Sequence, residues 1–225
     1  EAAGTHGVYR PGGSALNAGQ VGAARAAEYI AGRCRQEPNL ADFREALEPV
    51  LMDVKHLCGI VLGEKDTLCD AWQRAQTRMS RVGAAFRSEN TIAAAIREVE
   101  REIKNFEENI RVKSPDQLYQ VFRFSDMLVM QLVYLDAMAD YLQIHGLSRG
   151  SAMYTDPTGI YPHLKLPAMF TYRLDDGSRA NQTQEVWYKD GRIEARWRNV
   201  RTIPQYDDFF ENVWRTYREN GCLTE

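Results

Sequence analysis

Between residues 40 and 142 the apolar side chains recur in alternating steps of three and four. That period suits long amphipathic helices and little else. Leu40, Phe43, Leu47, Val50, Val54, Leu57 and Val61 make one run, and Leu68, Trp72, Ala75, Met79, Val82 and Phe86 a second. Ile92, Ile96, Val99, Ile103, Phe106 and Ile110 make a third. The fourth is Leu118, Val121, Ser125, Leu128, Leu132, Leu135, Ala139 and Leu142. Pro49 predicts a kink in the first helix, and Gly63 its stop. Ser88 and Asn90 are cap candidates for the third. Ser114-Pro115-Asp116 opens the fourth, with proline in the first turn where its missing N–H costs little, and His145-Gly146 closes it. Short connections between such helices predict antiparallel neighbours, hence a bundle. An exposed seam for a partner helix is the alternative, and we favour the bundle core. The fourth helix has a second apolar face through Phe122, Phe124, Met130 and Val133. A helix apolar on two sides sits centrally or docks against another domain.

The flanks read differently. Residues 16–33 form a helix dominated by Ala and Gly, ended by the break Gln36-Glu37-Pro38-Asn39. Gly19 and Gly22 weaken its intrinsic helicity, which suggests that packing or a nearby ligand requires them. Beyond Gly146 the texture turns to aromatics and prolines. Glu185 to Tyr188 and Ile193 to Trp197 read as a β-hairpin around the two-residue turn Asp190-Gly191. Tyr206 to Asn220 reads as a short helix with Phe209, Phe210, Val213 and Tyr217 on one face. The expected fold is mainly α: an antiparallel long-helix bundle with a small α/β tail that contains the hairpin. The expected division is 1–36, 37–146 and 147–225.

Composition removes some functions. The formal net charge of the 225-residue chain is -3, so it has no general attraction for nucleic acid or an anionic membrane. No apolar run approaches the ~20 residues of a membrane span. Cys34, Cys58, Cys69 and Cys222 form no Cys-x-x-Cys pair and no zinc spacing with histidine. Cys58 and Cys69 fall on apolar helical positions and read as small buried hydrophobes. A reducing cytoplasm is the expected compartment. Arg192, Arg196 and Arg198 share one strand face near Trp187 and Trp197. A solvated face explains them better than nucleic-acid binding.

The chemistry concentrates in the first twenty residues. His6-Gly7-Val8-Tyr9-Arg10-Pro11-Gly12-Gly13-Ser14-Ala15-Leu16 is a glycine-rich loop feeding a helix start, with one arginine just upstream. Free N–H groups and the positive end of the helix dipole suit an anionic ligand, or a ring that becomes negative on reduction. Arg10 can grip a carboxylate with a bidentate fork. Without further context this is an ordinary loop with a serine cap.

This segment resembles the last flavin-contacting segment of the succinate dehydrogenase/fumarate reductase flavoprotein family. There, Gly-Glu precedes His-Gly-x-x-Arg-Leu-Gly-Gly-Asn-(Ser or Ala)-Leu and a small-residue helix. The resemblance places Glu1 on the FAD ribose and Arg10 on a substrate carboxylate. It places Gly12, Gly13, Ser14, Ala15 and Leu16 against the isoalloxazine through their backbone, and His6 beside the substrate. Tyr9 replaces the usual Asn and Pro11 the usual Leu, and the step from Glu1 to His6 is one or two residues short. These departures bear on the substrate more than on the flavin. The order of elements extends the likeness. Family members follow the flavin domain with long antiparallel helices, then Ser-Arg-Gly-(Ala or Ser), an Asp and a small β segment ending in Pro. Here Ser148-Arg149-Gly150-Ser151 and Asp156 follow the helices, and the hairpin and Ile203-Pro204 come after.

The resemblance implies the C-terminal part of an FAD-dependent oxidoreductase acting on an organic acid, inactive by itself. No Gly-x-Gly-x-x-Gly follows a strand in this chain, so the dinucleotide-binding half is expected upstream. The implied partners are that N-terminal FAD-binding part and an electron-transfer iron–sulfur subunit, at the inner face of a membrane through those partners. Arg149 is expected to tie the β segment to the flavin domain. His56 reads as a packing or surface residue, and His145 as a charge at a helix C-terminus. His163 has no evident partner. The alternatives are a self-standing helical interaction module and the small subunit of a split flavoprotein.

Overall fold

The computed structural model describes residues 14–34, 39–149 and 152–200. Its six α-helices are α1 (Ser14–Arg33), α2 (Leu40–Val61), α3 (Leu68–Val82), α4 (Glu89–Lys104), the single turn α5 (Phe106–Asn109) and α6 (Leu118–Ile144). Four strands, β1 (Phe86–Arg87), β2 (Met153–Tyr154), β3 (Gln182–Lys189) and β4 (Arg192–Asn199), complete the described part. The protein is mainly helical with two small sheets, and the chain divides into two units at Leu57/Cys58. The expected helix over 206–220 lies outside the described residues.

The first unit holds α1 and most of α2. Asn39 opens α2: its Oδ1 accepts the Ala41 N–H at 3.0 Å and its carbonyl accepts the Phe43 N–H at 3.0 Å. Pro49 sits inside a helix assigned without a break. The apolar run of α2 is buried only at its end: Leu40, Phe43 and Val50 are all more than half exposed, while Val61, in the second unit, is fully buried. Gly19 and Gly22 face open space, where an added Cβ meets nothing within 4 Å. The expected close approach to these glycines is thus not seen among the described residues.

The second unit has a true core, formed where α3, α4 and α6 pack together. Ala71 and Ala75 of α3, Ile92, Ala95 and Val99 of α4, and Val121, Leu128 and Leu135 of α6 are buried. Large residues on α6 meet small ones on α3, which lets the helices approach closely. Phe124, counted by sequence in the second face of α6, is buried in this core and takes Trp72 and Phe106 at ring distances of 5.6 and 6.0 Å. Met130 of that face is half exposed. The third apolar run is not one helix. α4 stops at Lys104, and α5 restarts at Phe106 after Asn105. Phe106 and Ile110 remain buried because the chain turns back over the bundle. Its return strap bonds to the end of α2: Val112 N–H donates to the Val61 carbonyl at 2.8 Å, and Gly63 N–H to the Val112 carbonyl at 3.0 Å.

The start and stop signals act as their chemistry predicts. Ser88 caps α4 by accepting the Thr91 N–H at 3.4 Å. Ser114 and Gln117 form a reciprocal capping box on the 3-10 turn Pro115–Gln117 that leads into α6. Gly146 adopts φ 66°, the left-handed residue that ends α6.

Phe86 is not helical. It lies in β1, which pairs in parallel with β2 in the register Phe86↔Met153 and Arg87↔Tyr154. β3 and β4 form the expected hairpin, longer than the sequence pattern by two or three residues at its open end. Asp190 (φ 50°) and Gly191 (φ 78°) both adopt positive φ, as a two-residue turn matched to strand twist requires. The hairpin is tied to α6 through Asp140. One Asp140 oxygen accepts from Gln184 Nε2 and from Trp197 Nε1, each at 2.7 Å, and Gln184↔Trp197 is a cross-strand pair.

Candidate functional site

The site expected from sequence lies at the start of the first unit. Glu1, His6, Arg10, Gly12 and Gly13 fall outside the described residues, as does the Ser14 side chain. The described part is the helix start itself. α1 is described over Ser14–Arg33, 20 residues, with no acidic side chain in its first turn. Its leading N–H groups are therefore not neutralised by a neighbouring carboxylate on the helix. Ala15 is half-buried and Leu16 is 70 % exposed.

The second unit carries three further clusters of chemistry. The largest is a groove of about 1030 Å³ between α3 and α4. Its floor is Arg78, a charged residue with only 8 % of its surface exposed. Nε lies 3.3 Å from Glu98 Oε2, and another guanidinium nitrogen lies 2.6 Å from Glu102 Oε2. A third donates to Gln131 Oε1 at 2.9 Å, and Gln131 Nε2 donates to the Ala75 carbonyl at 2.9 Å. The network joins α3, α4 and α6 and leaves no buried charge uncompensated. The pairing with Glu102 is an ion contact rather than an aligned hydrogen bond.

The second cluster is a cleft of about 690 Å³ where the hairpin tip approaches α4 and α6. Asp136, Glu100, Lys104, Tyr188 and Arg192 line it. Burial of the Asp136 carboxyl, reinforced by the negative charge of Glu100, raises its pKa to about 6.

The third cluster sits at the C-terminus of α6. His145 Nε2 lies 2.7 Å from Asp175 Oδ1, and Arg149 Nε 3.0 Å from Asp175 Oδ2. The His145 contact, first among the causes, holds the Asp175 carboxyl below its usual range. Asp176 completes a trio whose ligand atoms lie within 4.8 Å of one another. The guanidinium on Asp175 disfavours a cation there, and the trio acts as a fastening between the helix end and the following loop. Tyr141 packs edge-on to His145 and donates to the Leu147 carbonyl at 2.6 Å. Burial, followed by the nearby charge of Asp175, raises its pKa to about 12.

Several sequence expectations need correcting. His145 is engaged by a specific carboxylate rather than by the helix dipole alone. His163 has a partner: its Nδ1 accepts the Lys165 N–H at 3.1 Å. Cys69 is exposed and Cys58 half-buried, so neither is a core residue. The arginine face of β4 is solvated as expected: Arg196 and Arg198 are exposed, both bind Glu185 across the hairpin, and Arg196 also lies over the Trp187 ring at 5.4 Å. Periodicity missed Arg78 and Gln131 because it scores only apolar residues. The sole signal for Arg78 was its place in line with Leu68, Ala71 and Ala75 on one face of α3.

Comparison with known proteins adds no relative. The chain matches no family model, no curated protein and no solved structure.

Proposed function

We propose that this chain is the C-terminal part of an FAD-dependent oxidoreductase of the succinate dehydrogenase/fumarate reductase type. The observation that carries the reading is the first turn of α1. The helix is described from Ser14, within the segment that the resemblance sets against the isoalloxazine, and its first turn carries no acidic residue. The order of the remaining elements is compatible, with long helices followed by Ser148-Arg149 and a hairpin.

In this reading the residues present suit a flavin. The backbone N–H groups of Ser14, Ala15 and Leu16 would hold a ring that gains negative charge. Glu1 would accept from ribose hydroxyls. Arg10 would clamp the carboxylate of an organic acid, and His6 would line the same pocket. The FAD itself supplies the hydride chemistry when bound. The N-terminal FAD-binding part and an iron–sulfur electron-transfer subunit are the proposed partners, in the cytoplasm or peripheral to the inner membrane face through them. No helix among the described residues is long and apolar enough to cross a membrane.

The test is the visible spectrum of the protein purified from its natural source, followed by organic-acid turnover with Arg10→Ala. Bound flavin and a loss of about 10²-fold in turnover, the scale of a lost positioning contact, are the expected results. A colourless protein with no flavin-bearing partner would overturn the reading in favour of a helical interaction module.

A further inference from the structure

The groove between α3 and α4 has a charge arrangement that the flavoprotein reading does not use. Arg74, Arg78 and Arg81 lie at i, i+4 and i+7 of α3, one face of a helix, over roughly 10 Å. Arg101 faces them from α4. Two glutamates of the lining, the half-buried Glu102 and the exposed Glu98, contact the buried Arg78. Arg74, Arg81 and Arg101 are exposed, and no carboxylate pairs with them among the described residues. The groove thus presents three guanidinium groups that no carboxylate pairs with, above a floor where Arg78 meets two glutamates; four arginines face three carboxylates in its lining, in a chain of net charge -3. Asp70 is the one further carboxylate in the lining.

The lining also says what kind of anion fits. It contains no aromatic ring, the usual platform for a nucleobase. Thr77, Thr91 and Gln73 offer hydrogen bonds, while Val82, Ala94 and Ala95 offer short apolar contacts. Its volume of about 1030 Å³ reaches the upper end of small-molecule pockets, and the cationic groups are spread along its length. Carboxylates spaced along an extended or helical segment match this spread, each taken by one guanidinium fork. We propose that the α3/α4 groove docks an acidic peptide segment of a partner protein, with Arg74, Arg81 and Arg101 as the carboxylate anchors.

The test uses the full chain and a fluorescent ten-residue peptide of alternating Glu and Ala, with inorganic tripolyphosphate as the compact anion. Anisotropy titration at 50 mM salt should show saturable binding that weakens at least tenfold at 500 mM. Arg74→Glu/Arg81→Glu should weaken it at least tenfold again. Both residues are exposed, so far-UV circular dichroism should be unchanged. Arg101→Glu, from the opposite wall, should also weaken it, and Arg123→Glu, on α6, should not. Absence of saturable peptide binding would overturn the proposal. So would equal binding by the double variant, or tripolyphosphate binding more than tenfold tighter at the same arginines. None of these readouts involves flavin, so the outcome is independent of the oxidoreductase reading.

Discussion

Arg78 offers the sharpest test of how the second unit is held together. Truncation to Ala removes a guanidinium that touches three side chains, and the consequences for those three differ. Gln131 is 5 % exposed, and its Oε1 would lose its donor with little access to water. An unsatisfied buried acceptor costs about 1–3 kcal/mol. The Glu102 side chain, 26 % exposed, would rehydrate in part and lose about 1 kcal/mol of pairing. The Glu98 side chain, 57 % exposed, loses a screened contact of about 0.5 kcal/mol or less. Relief of the arginine's own desolvation offsets part of this, and the lost packing of its aliphatic stem adds to it. The net for Arg78→Ala is about 3 kcal/mol, a large share of the stability of a domain this size. Arg78→Met restores the stem and should recover about 1 kcal/mol. Glu102→Ala should cost about 1 kcal/mol and Glu98→Ala less. The assay is urea unfolding followed by circular dichroism, with double-mutant cycles. The Arg78–Glu102 pair should couple by about 1 kcal/mol, and the Arg78–Glu98 pair by near zero. A loss below about 1 kcal/mol for Arg78→Ala, or a Glu98 variant costlier than the Glu102 one, refutes the reasoning.

Asp136 should make the unit less stable as pH rises. Its folded pKa of about 6 lies above the ordinary value of 3.8, so between those values the folded state holds a proton that the unfolded state has released. Stability is then lost as pH rises through that window. Because the group is half-buried, solvent screening reduces the effect to about 1 kcal/mol. Asp136→Asn should flatten the dependence of the urea midpoint between pH 4 and 7, and an unchanged slope would count against it. Gly159→Ala should disrupt the loop at Asp156. A Cβ there would run into the Tyr172 backbone, which is held by the Ile160–Tyr172 pair at 2.8 and 3.3 Å. A cost of about 1–3 kcal/mol is expected. It should be visible as faster hydrogen exchange at the Ile160 and Tyr172 amides; unaltered protection would show that the backbone gives way.

What could be read in advance follows from how local the determining physics is. The Asp190-Gly191 turn, the Ser88 cap, the capping box at Ser114 and the left-handed Gly146 each depend on a few adjacent residues, and each acts as its chemistry predicts. The helical period also predicted the buried stripe of α6 through Val121, Leu128, Leu132 and Leu135. It failed where a long-range partner decides the outcome. Arg78 occupies a core position because Gln131, 53 residues away, accepts from it. Phe86 leaves the helix because Met153 pairs with it, 67 residues on. The third run breaks at Asn105 although its apolar residues continue: Phe106 and Ile110 stay buried beyond the break, Phe106 against Phe124 of α6. The small residues Ala71 and Ala95 carry too little hydrophobicity to mark a period, yet both are buried in the core. The apolar run of α2 shows the converse: seven well-spaced positions establish that a helix can form, and α2 spans them all. Burial of that face needs an opposing surface, and spacing within one segment cannot supply it. The same distinction governs the candidate sites. The loop before α1 is legible because a glycine-rich step into a helix is a local pattern. The arginine groove joins residues of two helices across the unit, and only their packing brings Arg101 opposite Arg74 and Arg81.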